Sequence, residues 1–336
     1  MKEAMLYSQR PEGVAECHLC HHRCAIRPGH AGICQVRENR DGTLYSLVYR
    51  KLIARHIDPI EKKPLFHFHP GSSSYSIATA GCNFRCIFCQ NFSISQMPRD
   101  EKRIEGSDVA PEEIVADAKR LRCTTISYTY TEPTVFMEYA FDVGRLAHEA
   151  GIKNVWVSNG YMTPEALDLI APYLDGINVD LKSFSAETYK RMMGAKLEGV
   201  LETLRLFRPR NIWLEVTTLV VPGMNDSEAE LRQIAEFVAS LGREVPWHVS
   251  RFHPDYQMDD RGATPVRTLE RAVEIGKAAG LRYVYSGNVP GDRNEHTYCP
   301  SCGKRVIERM GFMIGRYDIE NGACRSCHAP LDGVGL

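Results

Sequence analysis

The amino-acid sequence predicts an α/β fold: a partial (βα)6-type TIM-like barrel with a small cysteine-rich module at each end. The main observation is that short apolar runs alternate with helical patterns. Such runs are typical of parallel strands buried on both faces, and the helices between them predict right-handed crossovers. Seven runs have this character: residues 75–80, 124–130, 153–158, 176–181, 212–221, 246–252 and 281–287.

Helix signals separate these runs. Pro111 stands early in one helical pattern, and Thr163 followed by Pro164 is typical of an N-cap and the first helical residue. Ser227 and Glu230 have the spacing of a capping box. These signals predict helices between the strands.

Polar residues follow six successive strands, at the point where each strand ends. In a barrel of parallel strands the carboxyl ends meet at one mouth, where the chemistry is found. Loop tips are polar by default, but polar residues at six successive strand ends favour a functional site. The residues are Asn83 with three cysteines, Thr131 and Glu132, Ser158 and Asn159, Asp180 and Lys182, Asn225 and Asp226, and His253.

Bulk properties argue against several classes of protein. The 336 residues carry a formal net charge of -1, so no strong field favours nucleic acid. We find no secretion signal and no apolar run of the roughly 18–20 residues that a membrane span needs. A cytoplasmic protein is therefore expected. Its 12 cysteines are more typical of metal ligands than of disulfides in that compartment.

The cysteine groups also divide the chain. Residues 1–66 form a four-cysteine metal-binding module with an extended arm, 67–298 the barrel, and 299–336 a C-terminal module. Pro, Gly and Ser within residues 67–74 predict a linker before the first barrel strand. Cys123 stands alone and is interpreted as a packing residue.

The central group, Cys82, Cys86 and Cys89, has the spacing C-x3-C-x2-C. Iron–sulfur clusters ordinarily take four cysteine ligands, so three thiolates leave one iron with an open position. The alternative is a zinc ion completed by a distant histidine.

This stretch resembles the cluster loop of radical S-adenosylmethionine enzymes. The resemblance implies a [4Fe-4S] cluster whose open iron is chelated by S-adenosylmethionine. In that family an electron, from a reductant such as flavodoxin or ferredoxin, splits the sulfonium to a 5′-deoxyadenosyl radical, which abstracts hydrogen from substrate. The protein positions the cofactor and excludes water.

The same resemblance implies the cofactor-binding residues. Phe88 would lie near the adenine, and "YTEP" places Thr131 and Glu132 near the amino group, with Tyr130 and Thr131 where the family has glycines. "SNGY", "VDLK" and "VVPGMND" also match family motifs. They assign Ser158 and Asn159 to the ribose and carboxylate, Asp180 to the carboxylate and a possible monovalent cation, Lys182 to the cofactor, and Val221 to the adenosine; His253 is a further candidate at the mouth.

The two outer cysteine groups predict separate metal sites. Cys299 and Cys302 pair with Cys324 and Cys327 as two C-x2-C knuckles, which predict a zinc ribbon. Rubredoxin-like iron would use the same ligands. The N-terminal set suits structural zinc, which we favour, or an auxiliary four-iron cluster, and spacing does not decide between them. That set is Cys17, Cys20, Cys24 and Cys34.

The cysteine groups together with "DPIEKKPLFHFHPGS" resemble the radical enzyme of the AmmeMemoRadiSam group, related to pyruvate formate-lyase activating enzymes. The resemblance implies partners with Memo-like and AMMECR-like folds. Three hypotheses follow. The first is a radical enzyme acting on a small or partner-bound substrate, favoured by the extra cysteine modules. The second is a glycyl-radical activase, favoured by "SNGY" and "VDLK". The third is a non-catalytic metal-binding adaptor, disfavoured because Glu132, Asn159 and the cysteine triad are present.

Overall fold

The computed structural model describes residues 1–336. A nine-stranded sheet forms the centre of the protein. Six short strands precede the sheet: β1 (Lys2–Glu3), β2 (Tyr7–Gln9), β3 (Ala15–Cys17), β4 (Ala25–Ile26), β5 (Arg37–Arg40) and β6 (Thr43–Ser46). The sheet itself contains β7 (Lys51–Pro59), β8 (Ser73–Thr79), β9 (Ser107–Asp108), β10 (Thr125–Tyr128), β11 (Lys153–Ser158), β12 (Gly176–Asp180), β13 (Trp213–Val220), β14 (Trp247–Arg251) and β15 (Val284–Gly287). Five more follow: β16 (Thr297–Tyr298), β17 (Arg305–Met310), β18 (Met313–Tyr317), β19 (Ile319–Glu320) and β20 (Ala323–Cys324).

Helices connect the sheet strands. They are α1 (Phe92–Ser95), α2 (Met97–Asp100), α3 (Pro111–Arg120), α4 (Met137–Glu149), α5 (Pro164–Ile170), α6 (Ala186–Thr188), α7 (Leu197–Phe207), α8 (Glu228–Leu241) and α9 (Val266–Ala278). Short 3-10 turns cover Pro11–Gly13, Ile60–Lys62, Pro133–Phe136, Ala171–Tyr173, Arg208–Arg210 and Arg293–Glu295, and a π-helical turn covers Tyr189–Met193. None of the helices combines the length and apolar character that a membrane crossing needs.

The order of the central sheet is β15-β14-β13-β12-β11-β10-β8-β7-β9. All neighbouring pairs from β8 to β15 are parallel, which confirms the α/β fold with a parallel sheet. The seven predicted runs coincide with these seven strands, give or take a few residues at their ends. The N-terminal strands pair in two small antiparallel sheets, β1-β6-β5 and β2-β3-β4, and the C-terminal strands in β16-β17-β18 and β19-β20.

The start of the sheet differs from the sequence prediction. Strand β7 pairs antiparallel with β8, although its residues were assigned to the N-terminal module and its arm. The predicted linker is also not a solvent-exposed tether, because His67 and Phe68 are completely buried. Pairing with β8 gives the arm a ladder of backbone hydrogen bonds, which its sequence pattern does not announce.

The buried arm connects three parts of the chain. On β13, Glu215 accepts hydrogen bonds from the backbone N–H groups of Phe66 (2.9 Å) and His67 (2.8 Å) and bonds to His248 Nε2 (2.6 Å). From β17, Arg309 Nη2 donates to the carbonyl of Phe66 (2.9 Å). Because every one of these groups is buried, the arm is held by contacts that water does not weaken.

The hydrophobic core is shared unequally. A single cluster of 70 buried residues extends from Ala4 to Val284, so the N-terminal strands pack on the core of the central sheet. The C-terminal strands have a separate cluster of five residues, two of which are Cys299 and Cys324. So small a core requires another source of stability, and a bound metal is the usual one.

Candidate active site

One large cavity of about 490 Å³ opens at the carboxyl ends of the parallel strands. It is lined by most of the candidate residues that the sequence singled out. These are Cys82, Cys86, Phe88, Cys89, Thr131, Glu132, Ser158, Asn159, Asp180 and Lys182. The cavity also contains residues that the sequence analysis did not select, including Thr217, Leu219 and Ser250 on β13 and β14 and Lys62 and Lys63 from the arm.

The loop that carries the three cysteines is fixed by its own backbone. The N–H groups of Arg85 and Ile87 donate to the carbonyls of Met193 (3.0 Å) and Met192 (3.2 Å), at the end of the π-helical turn. At the start of the loop, Gly81 has φ 103°, and a Cβ there would lie 2.6 Å from Val36. Only glycine meets both conditions without strain, so this residue sets the direction in which Cys82 leaves β8.

The three thiols suit a cation. Burial raises the pKa of Cys86 to about 12 and also raises the pKa of Cys82. The thiolates therefore need a positive partner, which an iron–sulfur cluster supplies. Around Cys82 Sγ, the N–H of Phe84 donates at 3.4 Å and Asn159 Nδ2 at 3.8 Å. Three sulfur ligands with N–H donors at one wall of a large cavity fit a cluster that keeps one open iron.

Glu132 organises the next strand ends. Its Oε1 accepts from Thr134 N (3.0 Å), Thr134 Oγ1 (2.6 Å) and Ser158 Oγ (2.8 Å), and its Oε2 accepts from Asn159 N (2.8 Å). Burial raises the pKa of Glu132 in spite of these donors. A carboxylate offers about four acceptor positions, and Oε2 uses only one of its own, so Oε2 has capacity for a ligand amine.

Asn159 and Tyr130 set the shape of this wall. Asn159 Nδ2 donates to Asn83 Oδ1 (2.7 Å), and Asn159 Oδ1 accepts from Tyr161 N (3.1 Å), so the amide is fixed at both ends. Tyr130 has φ 65°, a left-handed conformation that is uncommon for residues other than glycine. The backbone thus follows a glycine-like path although two glycines of the family motif are replaced here, and the Tyr130 hydroxyl bonds to Asp58.

Asp180 and Lys182 form an ion pair, with Lys182 Nζ 2.8 Å from Asp180 Oδ2. Burial alone would lower the pKa of Lys182, but the charges of Asp180 and Cys86 raise it instead. The ammonium therefore stays charged beside the cysteine loop. It supplies positive charge next to Asp180, at the place where the resemblance suggested a monovalent cation.

Two candidates lie away from the cavity. Val221 is completely buried in the hydrophobic core, and its backbone N–H donates to Asn225 Oδ1 (2.7 Å). His253 is exposed and does not line the cavity. The strand residues that do line it, Thr217 and Leu219, alternate along β13, and this two-residue period was the signal that could have identified them.

Thr217 provides a test of ligand binding. Its Oγ1 is buried, faces no hydrogen-bond partner within the protein and belongs to a residue that lines the cavity. We expect Thr217→Val to leave the free energy of unfolding unchanged or higher, since an unpaired buried hydroxyl contributes nothing. Affinity for S-adenosylmethionine should fall by up to about tenfold, the value of one hydrogen bond, in equilibrium dialysis of the iron-loaded protein.

The neighbouring Thr218 is the matched control. Its hydroxyl is paired twice, to Leu181 O (3.0 Å) and to Trp247 Nε1 (3.0 Å), and it does not line the cavity. Thr218→Val should destabilise the protein and leave cofactor affinity unchanged. Equal affinities for the two variants would show that Thr217 has no contact with the ligand.

Comparison with known proteins identifies relatives of this chain. The sequence model of the radical SAM superfamily matches residues 76–238. An uncharacterised protein of Methanocaldococcus jannaschii, MJ0808, is 47% identical over 337 residues, which covers 99% of this chain and 100% of that protein. The pyruvate formate-lyase 1-activating enzyme of Escherichia coli K12 is 21% identical and covers 61% of this chain and 89% of the enzyme.

A solved structure shows the same fold. Streptococcus suis SuiB bound to S-adenosylmethionine superposes with a TM-score of 0.51 at 13% sequence identity, over 68% of this chain and 53% of that chain. This likeness concerns the fold alone, and it is the matched sequence model, together with the three-cysteine loop, that indicates an enzyme of radical chemistry. The chain belongs to the radical SAM superfamily.

Proposed function

We propose that the protein cleaves S-adenosylmethionine reductively at a [4Fe-4S] cluster held by Cys82, Cys86 and Cys89, and abstracts hydrogen from a small or partner-bound substrate. The observation that carries this proposal is that the three thiols share one cavity with Glu132 and Thr217. When bound, the cluster and S-adenosylmethionine together supply the radical chemistry. We further propose that the sheet curls as a partial (βα)6-type barrel around them.

Each part of the cavity wall has its own role in this proposal. Oε2 of Glu132 accepts the methionine amine, and the ammonium of Lys182 faces the methionine carboxylate. Phe88 is buried and lines the cavity, so its ring provides an apolar surface for the adenine. Thr217 Oγ1 bonds to the adenosine portion in place of Val221. These residues hold the cofactor rigidly and exclude water.

The part of the cavity beside Tyr130, whose hydroxyl bonds to Asp58, is proposed to receive the substrate. Lys63 Nζ lies 2.7 Å from Asp58 Oδ2 and 2.5 Å from Ser76 Oγ, and Lys62 Nζ lies 2.9 Å from Asp58 Oδ1. Two lysines against one aspartate leave a positive charge, which favours an anionic group on the substrate. Phe312 of the C-terminal hairpin also lines the cavity, so both terminal modules narrow its mouth and favour a small substrate.

The experiment is an anaerobic assay of iron-loaded protein with S-adenosylmethionine and dithionite. We expect 5′-deoxyadenosine, with more product when a small anionic substrate is present. The activating-enzyme relatives keep a glycyl-radical activase as the second candidate, because such an enzyme is among those similar to this chain. Stimulation by a glycine-loop peptide, and not by small anions, would reverse the order. An absence of 5′-deoxyadenosine under all conditions would refute both.

The C-terminal cysteines are proposed to bind zinc in a ribbon. Their four Sγ atoms lie within 4.8 Å of one another, with Cys299 and Cys327 at 3.6 Å and Cys302 and Cys324 at 3.9 Å. Thiolates that share one tetrahedral ion at about 2.3 Å have such spacings. We expect Cys302→Ser to lose about one zinc per chain with no loss of iron, measured by elemental analysis. An unchanged zinc content would contradict the assignment.

The same proposal extends to the location of the enzyme, its electron donor and its partners. We propose a cytoplasmic protein that receives electrons from a reductant such as flavodoxin or ferredoxin. The sequence resemblance to the AmmeMemoRadiSam group further suggests Memo-like and AMMECR-like partners, which co-purification with this chain would test.

A further inference from the structure

The N-terminal cysteines surround a cavity of their own. Cys17, Cys20, Cys24 and Cys34 all line it. Cys17 ends β3, which pairs with β2 and β4 in one antiparallel sheet, and its backbone N–H donates to the carbonyl of Cys24 (2.9 Å). The rest of the wall is largely apolar and includes Leu19, Ile26, Ile33 and Val135. Four thiols around an apolar space form a site for a thiophilic metal.

The spacing of the sulfur atoms differs between the two ends of the chain. No three of the N-terminal Sγ atoms lie within 4.8 Å of one another, whereas all four C-terminal Sγ atoms do. The Sγ atoms of Cys82, Cys86 and Cys89 are likewise not all within 4.8 Å of one another. Thiolates on a single ion must be close together, but thiolates on a cubane bind different irons and lie further apart. The N-terminal sulfur atoms are therefore spaced more widely than those of the C-terminal site, as the sulfur atoms of Cys82, Cys86 and Cys89 also are.

Two residues that line the same cavity each carry a buried donor without a partner. Asn83 Nδ2 and Arg37 Nε have no hydrogen bond within the protein, although both residues line the cavity and are only 1% exposed. The other guanidinium nitrogens of Arg37 are bonded to Glu138. Orphaned buried donors are rare and indicate a missing acceptor. The sulfides and thiolates of an iron–sulfur cluster are acceptors of N–H groups.

We propose that Cys17, Cys20, Cys24 and Cys34 bind a second four-iron cluster, and not zinc. The site of this cluster adjoins the active cavity, because Cys82 lines the active cavity and its neighbour Asn83 lines the N-terminal cavity. Consecutive Cα atoms are only ~3.8 Å apart. Asn83 also joins the two sites through hydrogen bonds: its carbonyl oxygen bonds to His22 Nε2 (2.9 Å), and its Oδ1 accepts from Asn159 Nδ2 (2.7 Å).

The test is a metal count on the full chain after anaerobic reconstitution with iron and sulfide. We expect about eight irons and about one zinc per chain, as two clusters and one ribbon require. The combined variant Cys82→Ser, Cys86→Ser and Cys89→Ser should retain about four irons and, on reduction with dithionite, show the paramagnetic resonance of a reduced four-iron cluster. This readout needs no turnover, so it is independent of the proposed reaction.

A second variant removes two of the four N-terminal cysteine ligands. Cys24→Ser with Cys34→Ser should reduce the iron content by about half and leave zinc unchanged, as the loss of one of two clusters requires. The proposal is overturned if the wild-type chain binds about four irons and about two zincs. It is equally overturned if the variant without Cys82, Cys86 and Cys89 is free of iron. That measurement does not depend on whether the N-terminal double variant folds.

Discussion

Replacing Cys86 with alanine is expected to abolish 5′-deoxyadenosine formation while the protein remains folded. Cys86 is one of three thiols available to the active cluster, and two ligands are too few to hold a cubane. The side chain is small and its pKa is raised by burial, so alanine removes an unfavourable thiolate together with one sulfur atom. The measurements are iron content, visible absorbance and 5′-deoxyadenosine after incubation with dithionite.

Cys123 is the matched control for this substitution. It is also a buried cysteine, its Sγ makes one long hydrogen bond, to the carbonyl of Leu121 (4.0 Å), and it lies outside every cysteine group. Cys123→Ala should keep full iron content and product formation, at a modest packing cost of about 1 kcal/mol in the free energy of unfolding. A Cys86→Ala protein that still formed 5′-deoxyadenosine would refute the proposed reaction.

Glu138→Ala is expected to have the largest effect on stability. Glu138 on α4 is fully buried and binds the Arg37 guanidinium of β5, which is itself buried; it also accepts from the backbone N–H of Met5 (2.9 Å). Removing the carboxylate leaves an unpaired buried charge, which costs about 3–5 kcal/mol. Urea unfolding followed by circular dichroism should show this loss.

The same helix offers the control. Glu149 forms an exposed pair with Arg145 at 2.6 Å, and surface pairs of this kind contribute only about 0.3–0.5 kcal/mol. Glu149→Ala should therefore be almost neutral. The double variant Arg37→Met with Glu138→Leu should recover most of the stability, because it removes both charges. If Glu138→Ala and Glu149→Ala destabilised the protein equally, the buried pair would have no special role.

The sequence predicts the central sheet well because its signals are local. Strand β11 begins and ends at the residues expected from the run at 153–158. The helix caps are also present: Thr163 Oγ1 accepts from Ala166 N (3.2 Å) and Ser227 Oγ from Glu230 N (3.3 Å). The capping box is only half formed, because Glu230 Oε1 is taken by Ser183 Oγ and by Phe184 N (2.8 Å). A tertiary contact displaced the local one.

Features that depend on packing between separate segments were not predictable in this way. The two-residue period of β13 separates Thr217 from Thr218, but it does not tell which of them faces the cavity. That depends on how β13 pairs with β12 and β14, and the motif drew attention to Val221 instead. The antiparallel pairing of β7 depends on its two neighbours, β8 and β9, and its apolar pattern is too irregular to announce a strand. Tyr130 is left-handed, and its hydroxyl bonds to Asp58, 72 residues earlier in the chain; no local pattern records either feature.

The buried arm also determines which parts of the protein can be exchanged independently. Phe66 is bonded through its N–H to Glu215 of the central sheet and through its carbonyl to Arg309 of the C-terminal hairpin. The C-terminal hairpin is thus not an independent, exchangeable unit. Replacing the C-terminal hairpin alone would leave the buried carbonyl of Phe66 without its Arg309 donor, so an exchange of this module has to preserve that contact.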